Sequence, residues 1–409
     1  MADVKMVVNH KLSQAAGPAF LSLAATESVR HLHLSLAAYK ETPLVALPAL
    51  AERMGVKSIY VKDESYRFGL KAFKGLGGVY ALSHVVCNKI GLNIEQTTFA
   101  DLQKAGYREQ VQKMVFVTAT DGNHGKGVAW AAKQLGCKAH VFMPAGSSEN
   151  RAQAIRDVGD AEVTITDLKY DDAVRYAASM EEKHGWILVQ DTSWPGYEEI
   201  PGWIIQGYTT MGYEAVSQLE ALGVSRPTHV FLQAGVGAMA GGITGFLANY
   251  YEGSRPIITT VEPDQVACIY ESARRADGKP HKATGNETTI MAGLNCAEPC
   301  TLTWPILRDF ASFYLACPDY VAAKGMRHLA APLGNDRKVV SGESGAATMG
   351  ALVTLCEDRA LEGLRKQIGL DRDSVVLLFN TEGATDPDNY YKIVYDGAYP
   401  APSNNEVSK

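Results

Sequence analysis

The stretch Met114-Val115-Phe116-Val117-Thr118-Ala119-Thr120-Asp121-Gly122-Asn123-His124-Gly125 decides the fold. Its first seven residues are apolar or β-branched and read as a buried strand. A polar, glycine-containing turn follows, and the alanine-rich residues 125–135 read as a helix. Residues 138–143 form a second strand signal that stops at Pro144. Strand, turn, helix and strand in this order make a βαβ unit, which requires a parallel sheet.

The alternation continues outward in both directions. Downstream, helix signals at 148–158 and 171–184, closed by Gly159 and Gly185, alternate with strand signals at 162–166 and 186–190. Upstream, residues 58–62 alternate as a strand and 74–86 read as a helix, followed by an acidic and polar insertion over 88–112. The first forty residues look irregular, with a short apolar helix at 15–23, and the tail 400–405 reads as loose. After a long helix at 203–222 the pattern restarts, with strands at 229–233 and 257–261 around a helix at 238–251, and a last strand at 374–379. The expected fold class is α/β, with two doubly wound parallel-sheet domains. The small domain takes residues 62–200, the large cofactor-binding domain 1–61 and 201–409, and the active site lies in the cleft between them.

Composition narrows the function. The 409 residues are 46% hydrophobic and 21% charged, which allows two sizeable cores. A net charge of -6 gives no basic surface for nucleic acid or an anionic membrane. No apolar run approaches the roughly 20 residues of a membrane span. The N-terminal residues lack an apolar signal core. Seven scattered cysteines without a Cys-x-x-Cys pair argue against a zinc site, so no metal is expected. These features read as a reduced, cytoplasmic enzyme acting on a small molecule.

Three segments carry chemistry. Lys74, beside Phe73 and ahead of a helix, can serve as a Schiff-base amine once deprotonated, and Lys71 competes with it from nearly the same helical face. The turn Thr120-Asp121-Gly122-Asn123-His124 lies at the carboxyl end of a strand, where open α/β sheets bind ligands. Asn123 can donate to a phenolate-type oxygen, and the amides of the following helix can hold a carboxylate. Asp121 is either an N-cap or an acid/base group, and His124 supports a tight backbone turn. Gly235-Val236-Gly237-Ala238-Met239-Ala240-Gly241-Gly242 follows a strand and opens a helix, a setting that cradles phosphate. It lacks the Gly-Lys-Ser/Thr of a Walker motif. It can also be read as a dinucleotide fingerprint or as close helix–sheet packing. Asp191 shares the strand-end rim with Asp121 and suits an ammonium group. Glu343 opens another helix, Thr381 follows the last strand and can meet a ring nitrogen, and His31 and His33 read as surface. A lysine, an Asn-bearing turn and a phosphate turn in this order are what a chain needs to hold pyridoxal 5'-phosphate.

The motifs also resemble a known group. Lys62-x-Glu64, Ala72-Phe73-Lys74, Gly122-Asn123-His124, the glycine turn, Val261-Glu262-Pro263 and Glu343-x-Gly345-Ala346 resemble the threonine dehydratase group of fold type II (tryptophan synthase β-like) pyridoxal-phosphate enzymes. This covers residues 43–385 and selects Lys74 over Lys71. Arg67-Phe68-Gly69-Leu70, Thr120-Asp121, Gln190-Asp191-Thr192 and Thr381-Glu382-Gly383 depart from the dehydratases and resemble the diaminopropionate ammonia-lyase family. The resemblance implies α,β-elimination of D- and L-2,3-diaminopropionate to pyruvate and two ammonia, an amino-acid degradation reaction. It implies that Lys74 carries the cofactor and that Phe73, Asn123, Gly235, Val236, Gly237, Ala238, Met239, Gly293, Glu343 and Thr381 surround it. Thr120, Asp121, Gly122, His124 and Asp191 would meet the substrate, with Lys74, Asp121 and Asp191 catalytic, and the assembly would be a homodimer.

Competing readings are a serine/threonine dehydratase, a nucleotide-binding oxidoreductase built on Gly235–Gly242, and a catalytically dead protein of the same fold. The Thr120-Asp121 pair argues against the first, and intact Lys74, Asn123 and phosphate turn against the last. Cys268 and Cys296 both follow motifs expected near the cleft, where they can pair or stay as free thiols.

Overall fold

In the computed structural model, residues 4–120, 122–286 and 288–402 are described. Among them the strands are β1 (Lys5–Val8), β2 (Leu44–Ala46), β3 (Ser58–Asp63), β4 (Val115–Ala119), β5 (Lys138–Met143), β6 (Glu162–Ile165), β7 (Ile187–Leu188), β8 (His229–Gln233), β9 (Ile257–Pro263), β10 (Phe313–Cys317) and β11 (Val375–Asn380). They form two sheets. One has the order β1-β10-β9-β8-β11-β3-β2 and the other β6-β5-β4-β7. The pairings from β10 across to β3 are parallel, as are all those of the smaller sheet. β8, β10 and β11 are buried along their whole length, as strands covered on both faces by helices must be. β6, at an edge, shows only partial burial.

The chain divides into two compact units. One contains Met1–Pro18, Thr42–Tyr66 and Met211–Lys409, the other Ala19–Glu41 and Arg67–Thr210. The smaller unit therefore gains a segment that the sequence reading gave to the large domain. Residues 23–34 form a helix there, where an irregular stretch was expected. In that helix His31 is exposed, but His33, two positions on and on another face, is fully buried and bonds Thr210 Oγ1 at 2.7 Å and Leu76 O at 3.1 Å. Reading the pair as surface was wrong for His33. The insertion at 88–112 is likewise helical, with short helices at Phe99–Leu102 and Ala105–Gln112.

The larger sheet departs from a purely parallel one at both edges, because β1 pairs antiparallel with β10 and β2 with β3. These strands are four and three residues long, too short for a period-2 signal. The Lys62-x-Glu64 motif belongs to this unit's scaffold. Lys62 is completely buried; its ammonium pairs with Glu214 at 2.6 Å and donates to Thr42 O at 2.7 Å and Gln218 Oε1 at 2.9 Å. Thr42 Oγ1 in turn donates to Glu64 Oε1 at 2.6 Å. Buried charges persist only when paired and hydrogen-bonded in this way. Among the described residues no helix is long and apolar enough to cross a membrane.

Candidate active site

In the smaller unit the chain builds outward from β4 to β5 and β6, then places β7 on the other side. The carboxyl ends of β4 and β7 are thus a topological switch point, where doubly wound sheets leave a crevice. Thr120, Gly122, Asn123 and His124 follow β4, and Asp191 follows β7. Asp121 lies outside the described residues. The Thr120 hydroxyl accepts the Gly122 amide at 3.0 Å and so shapes the turn.

Lys74 precedes the helix Gly75–Ile90, which packs on the helix Asn123–Leu135. Gly127 permits this approach: a Cβ there would stand 2.9 Å from the Lys74 carbonyl carbon and 3.0 Å from the Gly75 nitrogen. The contact brings the lysine to the switch point, where its ammonium donates to the Asp191 carboxylate. Lys74 is only partly exposed, and the Phe73 ring lies 5.5 Å from its nitrogen. Lys71 is exposed and sits in the left-handed region at φ 58°.

Electrostatics make Asp191 an anion. Burial alone would raise its carboxyl, but the charges of His124 and Lys74 outweigh burial and bring it down to about 2. Burial also pushes the His124 imidazole below its usual range. His124 Nε2 bonds Val189 O at 2.8 Å, which places the other nitrogen 3.8 Å from Asp191. That Nδ1 is buried and makes no hydrogen bond among the described residues. Gln190 holds the crevice edge: it bridges to β4 by accepting from Ala119 N at 3.1 Å and donating to Ala119 O at 3.0 Å. Its own amide donates to the Tyr197 hydroxyl at 2.9 Å.

The larger unit has its own switch point, between β8 and β11. Gly235 to Gly237 follow β8 and lead into the helix Ala238–Tyr250, which has no side-chain cap. Gly237 sits at φ 90°, a backbone state that fits glycine, and turns the chain so that the first-turn amides of Ala238 and Met239 lack intrahelical partners. Such a terminus suits an anion. Beside it, Thr381 follows β11, and its hydroxyl accepts the Gln233 amide at 2.8 Å. Gly293 N donates to Ser344 Oγ at 3.1 Å. Glu343 is buried and its carboxylate accepts from Asn389, while Glu382 accepts the Ser344 amide at 3.0 Å. Cys268 and Cys296 are not joined by a disulfide; Cys268 donates to Gly235 O at 3.4 Å. Sequence reasoning missed Gln233, Gln190, Tyr197 and Glu382. Gln190 and Glu382 stand inside motifs that were read, and Gln233 ends the strand ahead of the glycine turn, but only the side-chain direction reveals their part.

This donor set fits pyridoxal phosphate. Taken unit by unit, the smaller one offers an amine beside a buried carboxylate, which suits an aldehyde, and the larger one offers uncapped helix amides and a hydroxyl, which suit a phosphate and a ring nitrogen. The set contains no second amine of similar burial in the Lys71–Lys74 segment. Among the described residues no cluster of side chains could hold a metal ion.

Comparison with known proteins agrees. The family description of the pyridoxal-phosphate dependent enzymes matches residues 36–379. A diaminopropionate ammonia-lyase of Salmonella typhimurium is 49% identical over 388 residues, covering 95% of this chain and 96% of that protein. The crystal structure of holo diaminopropionate ammonia-lyase from Escherichia coli superposes with a TM-score of 0.92 at 45% identity, covering 98% of this chain and 99% of the other. The same Escherichia coli enzyme solved with an aminoacrylate–pyridoxal-phosphate azomethine reaction intermediate gives a TM-score of 0.90 over 98% of both chains. These matches run over nearly the whole chain and show its membership: this chain belongs to the diaminopropionate ammonia-lyase family of the fold type II pyridoxal-phosphate dependent enzymes.

Proposed function

We propose that the chain eliminates both amino groups of 2,3-diaminopropionate, D and L, with one water consumed and pyruvate and two ammonia released. The observation that carries this reading is the buried Asp191 carboxylate bonded to Lys74 at the β4/β7 switch point. A substrate with two ammonium groups needs such an anion, and a hydroxyl substrate has less use for it. Family membership supports the substrate. When bound, pyridoxal phosphate supplies the electron sink that weakens the bonds at the α-carbon.

The chain's residues do the rest. Lys74 attaches the cofactor and, released by the incoming substrate amine, takes the α-proton of the L-form. Once Lys74 no longer offers an ammonium, the buried Asp191 charge needs another cation, and a substrate ammonium is one. Holding the β-nitrogen in its protonated form lets it leave as neutral ammonia, which an unprotonated amine does not do readily. The D-form presents its α-hydrogen to the opposite side, and Asp121 is the base for that side. The amides of Ala238 and Met239 bind the phosphate, Asn123 the ring oxygen, and Thr381 the ring nitrogen. Phe73, Val236, Gly293 and Glu343 complete the surroundings, and Thr120, Gly122 and His124 line the substrate. The working form is a cytoplasmic homodimer.

The test is product stoichiometry in the purified, cofactor-loaded enzyme. Two ammonia per pyruvate from each enantiomer is expected, with serine turned over more slowly. Faster turnover of serine, with one ammonia per pyruvate, would make the chain a dehydratase.

A further inference from the structure

We propose that Gln233 is a positioning residue that fixes which way the Thr381 hydroxyl points its proton, and thereby keeps the cofactor's ring nitrogen unprotonated. The inference rests on the reading of Thr381 as the ring-nitrogen partner.

Gln233 ends β8 and is 2% exposed; Thr381 follows β11 and is 3% exposed. An amide side chain has a donor end and an acceptor end, and here the surroundings choose between them. The nitrogen faces Phe379 O at 2.9 Å, Ser344 O at 3.3 Å, Gly345 O at 3.4 Å and Thr381 Oγ1 at 2.8 Å. Turned over, the amide oxygen would meet three backbone carbonyl oxygens in a buried site, so the donor end is locked toward Thr381. Its oxygen makes no hydrogen bond among the described residues, so no competing contact there pulls the amide round.

The consequence passes to Thr381. Its oxygen accepts a hydrogen bond from the Gln233 amide, and that is the one hydrogen bond the hydroxyl makes among the described residues. The hydroxyl's own hydrogen is left to donate. A nitrogen base facing a donor is held in its unprotonated form, because a protonated pyridinium would set two hydrogens against each other. An unprotonated ring draws electrons less strongly and favours prompt loss of the β-amine over a long-lived carbanion. A hydroxyl free to rotate would not enforce this, since it accepts as readily as it donates.

The experiment uses ring-15N-labelled pyridoxal phosphate bound to the full-length enzyme, because the nitrogen chemical shift separates protonated from unprotonated pyridine. The parent and Thr381→Ser are expected to show the unprotonated signal across pH 6–8. Gln233→Met, which matches the side chain in length but cannot donate, is expected to shift the signal toward the protonated form at the lower pH, and to lower kcat by about 10-fold with KM little changed. The double variant Gln233→Met/Thr381→Ala should show no more than the Thr381→Ala effect. If Thr381→Ala leaves the parent signal unchanged, Thr381 is not the ring partner and the underlying reading falls. If Thr381→Ala moves the signal but Gln233→Met does not, Gln233 has no positioning role. A protonated signal in the parent overturns the inference without any variant, so it holds even where Gln233→Met fails to fold.

Discussion

The two switch points differ in the kind of group they offer. At β4/β7 the groups are charged side chains: Lys74 bonded to Asp191, with the buried His124 beside them. At β8/β11 they are mainly neutral dipoles, uncapped helix amides after Gly237 and a hydroxyl bonded by an amide, with the Glu343 and Glu382 carboxylates beside them taken up by Asn389 and the Ser344 amide. Charges that change during a reaction can move protons; fixed dipoles hold a ligand and set its electronic state without changing themselves. In the proposed reading, proton chemistry falls to the smaller unit's charged side chains, of which Lys74 also anchors the cofactor, while the larger unit's dipoles hold the phosphate and the ring nitrogen.

The sharpest break in that assignment comes from Lys74→Ala, which should abolish covalent cofactor attachment and turnover, while Lys71→Ala keeps both. Borohydride reduction followed by peptide mapping reads the attachment point, and a label on Lys71 would refute the assignment. Next in size are the carboxylates. Asp191→Asn should cut turnover of both enantiomers, and Asp121→Asn should cut D-diaminopropionate turnover by about 100-fold or more while sparing the L-form. Steady-state rates on the separate enantiomers decide it, and equal losses in Asp121→Asn would make that residue a substrate binder.

On the dipole side, Gly237→Asp should weaken cofactor affinity by setting charge against the phosphate. The structure adds a control. Any Cβ at φ 90° is strained and would stand 3.0 Å from Ile269 Cδ1 and 3.1 Å from Leu307 Cδ1. The difference in cofactor dissociation constant between Gly237→Asp and Gly237→Ala therefore isolates the charge, and no difference would remove the phosphate from this turn.

The smallest effect concerns His124. Its folded-state pKa is held below the usual 6.5 by burial. The unfolded chain takes up a proton at a pH where the folded one refuses it, so this imidazole's contribution to stability is complete above 6.5 and declines as pH falls below it. The melting-temperature advantage of the parent over His124→Asn should therefore narrow between pH 7.5 and 5.5. A widening gap would mean that the histidine is charged in the folded enzyme.

The charged switch point was the more legible in sequence. Lys74, Asn123 and Asp191 are residue types whose chemistry is evident, and the βαβ pattern around residue 114 placed two of them at strand ends. The dipole side was legible only as a glycine pattern, since backbone amides carry no residue-type signal. Gln233 stayed hidden because its part depends on which carbonyls face its nitrogen, a fact of tertiary structure. The edge strands β1 and β2 were too short to show a period, and His33 was misplaced because two histidines in a row of polar and apolar residues do not reveal a helix's buried face. The buried Lys62–Glu214 pair joins residues far apart in sequence, so Lys62-x-Glu64 read as a motif without a reason.

The assignment of proton chemistry to one switch point and cofactor holding to the other is tested most directly by rescue with excess pyridoxal phosphate. Turnover of L-diaminopropionate is measured in Asp191→Asn and Gly237→Asp as cofactor is raised to saturation. Recovery of Gly237→Asp toward the Gly237→Ala rate, with Asp191→Asn fully loaded and still slow, is the predicted result. Recovery of Asp191→Asn on adding cofactor would contradict the account, because its carboxylate would then be holding the cofactor and not acting on the substrate.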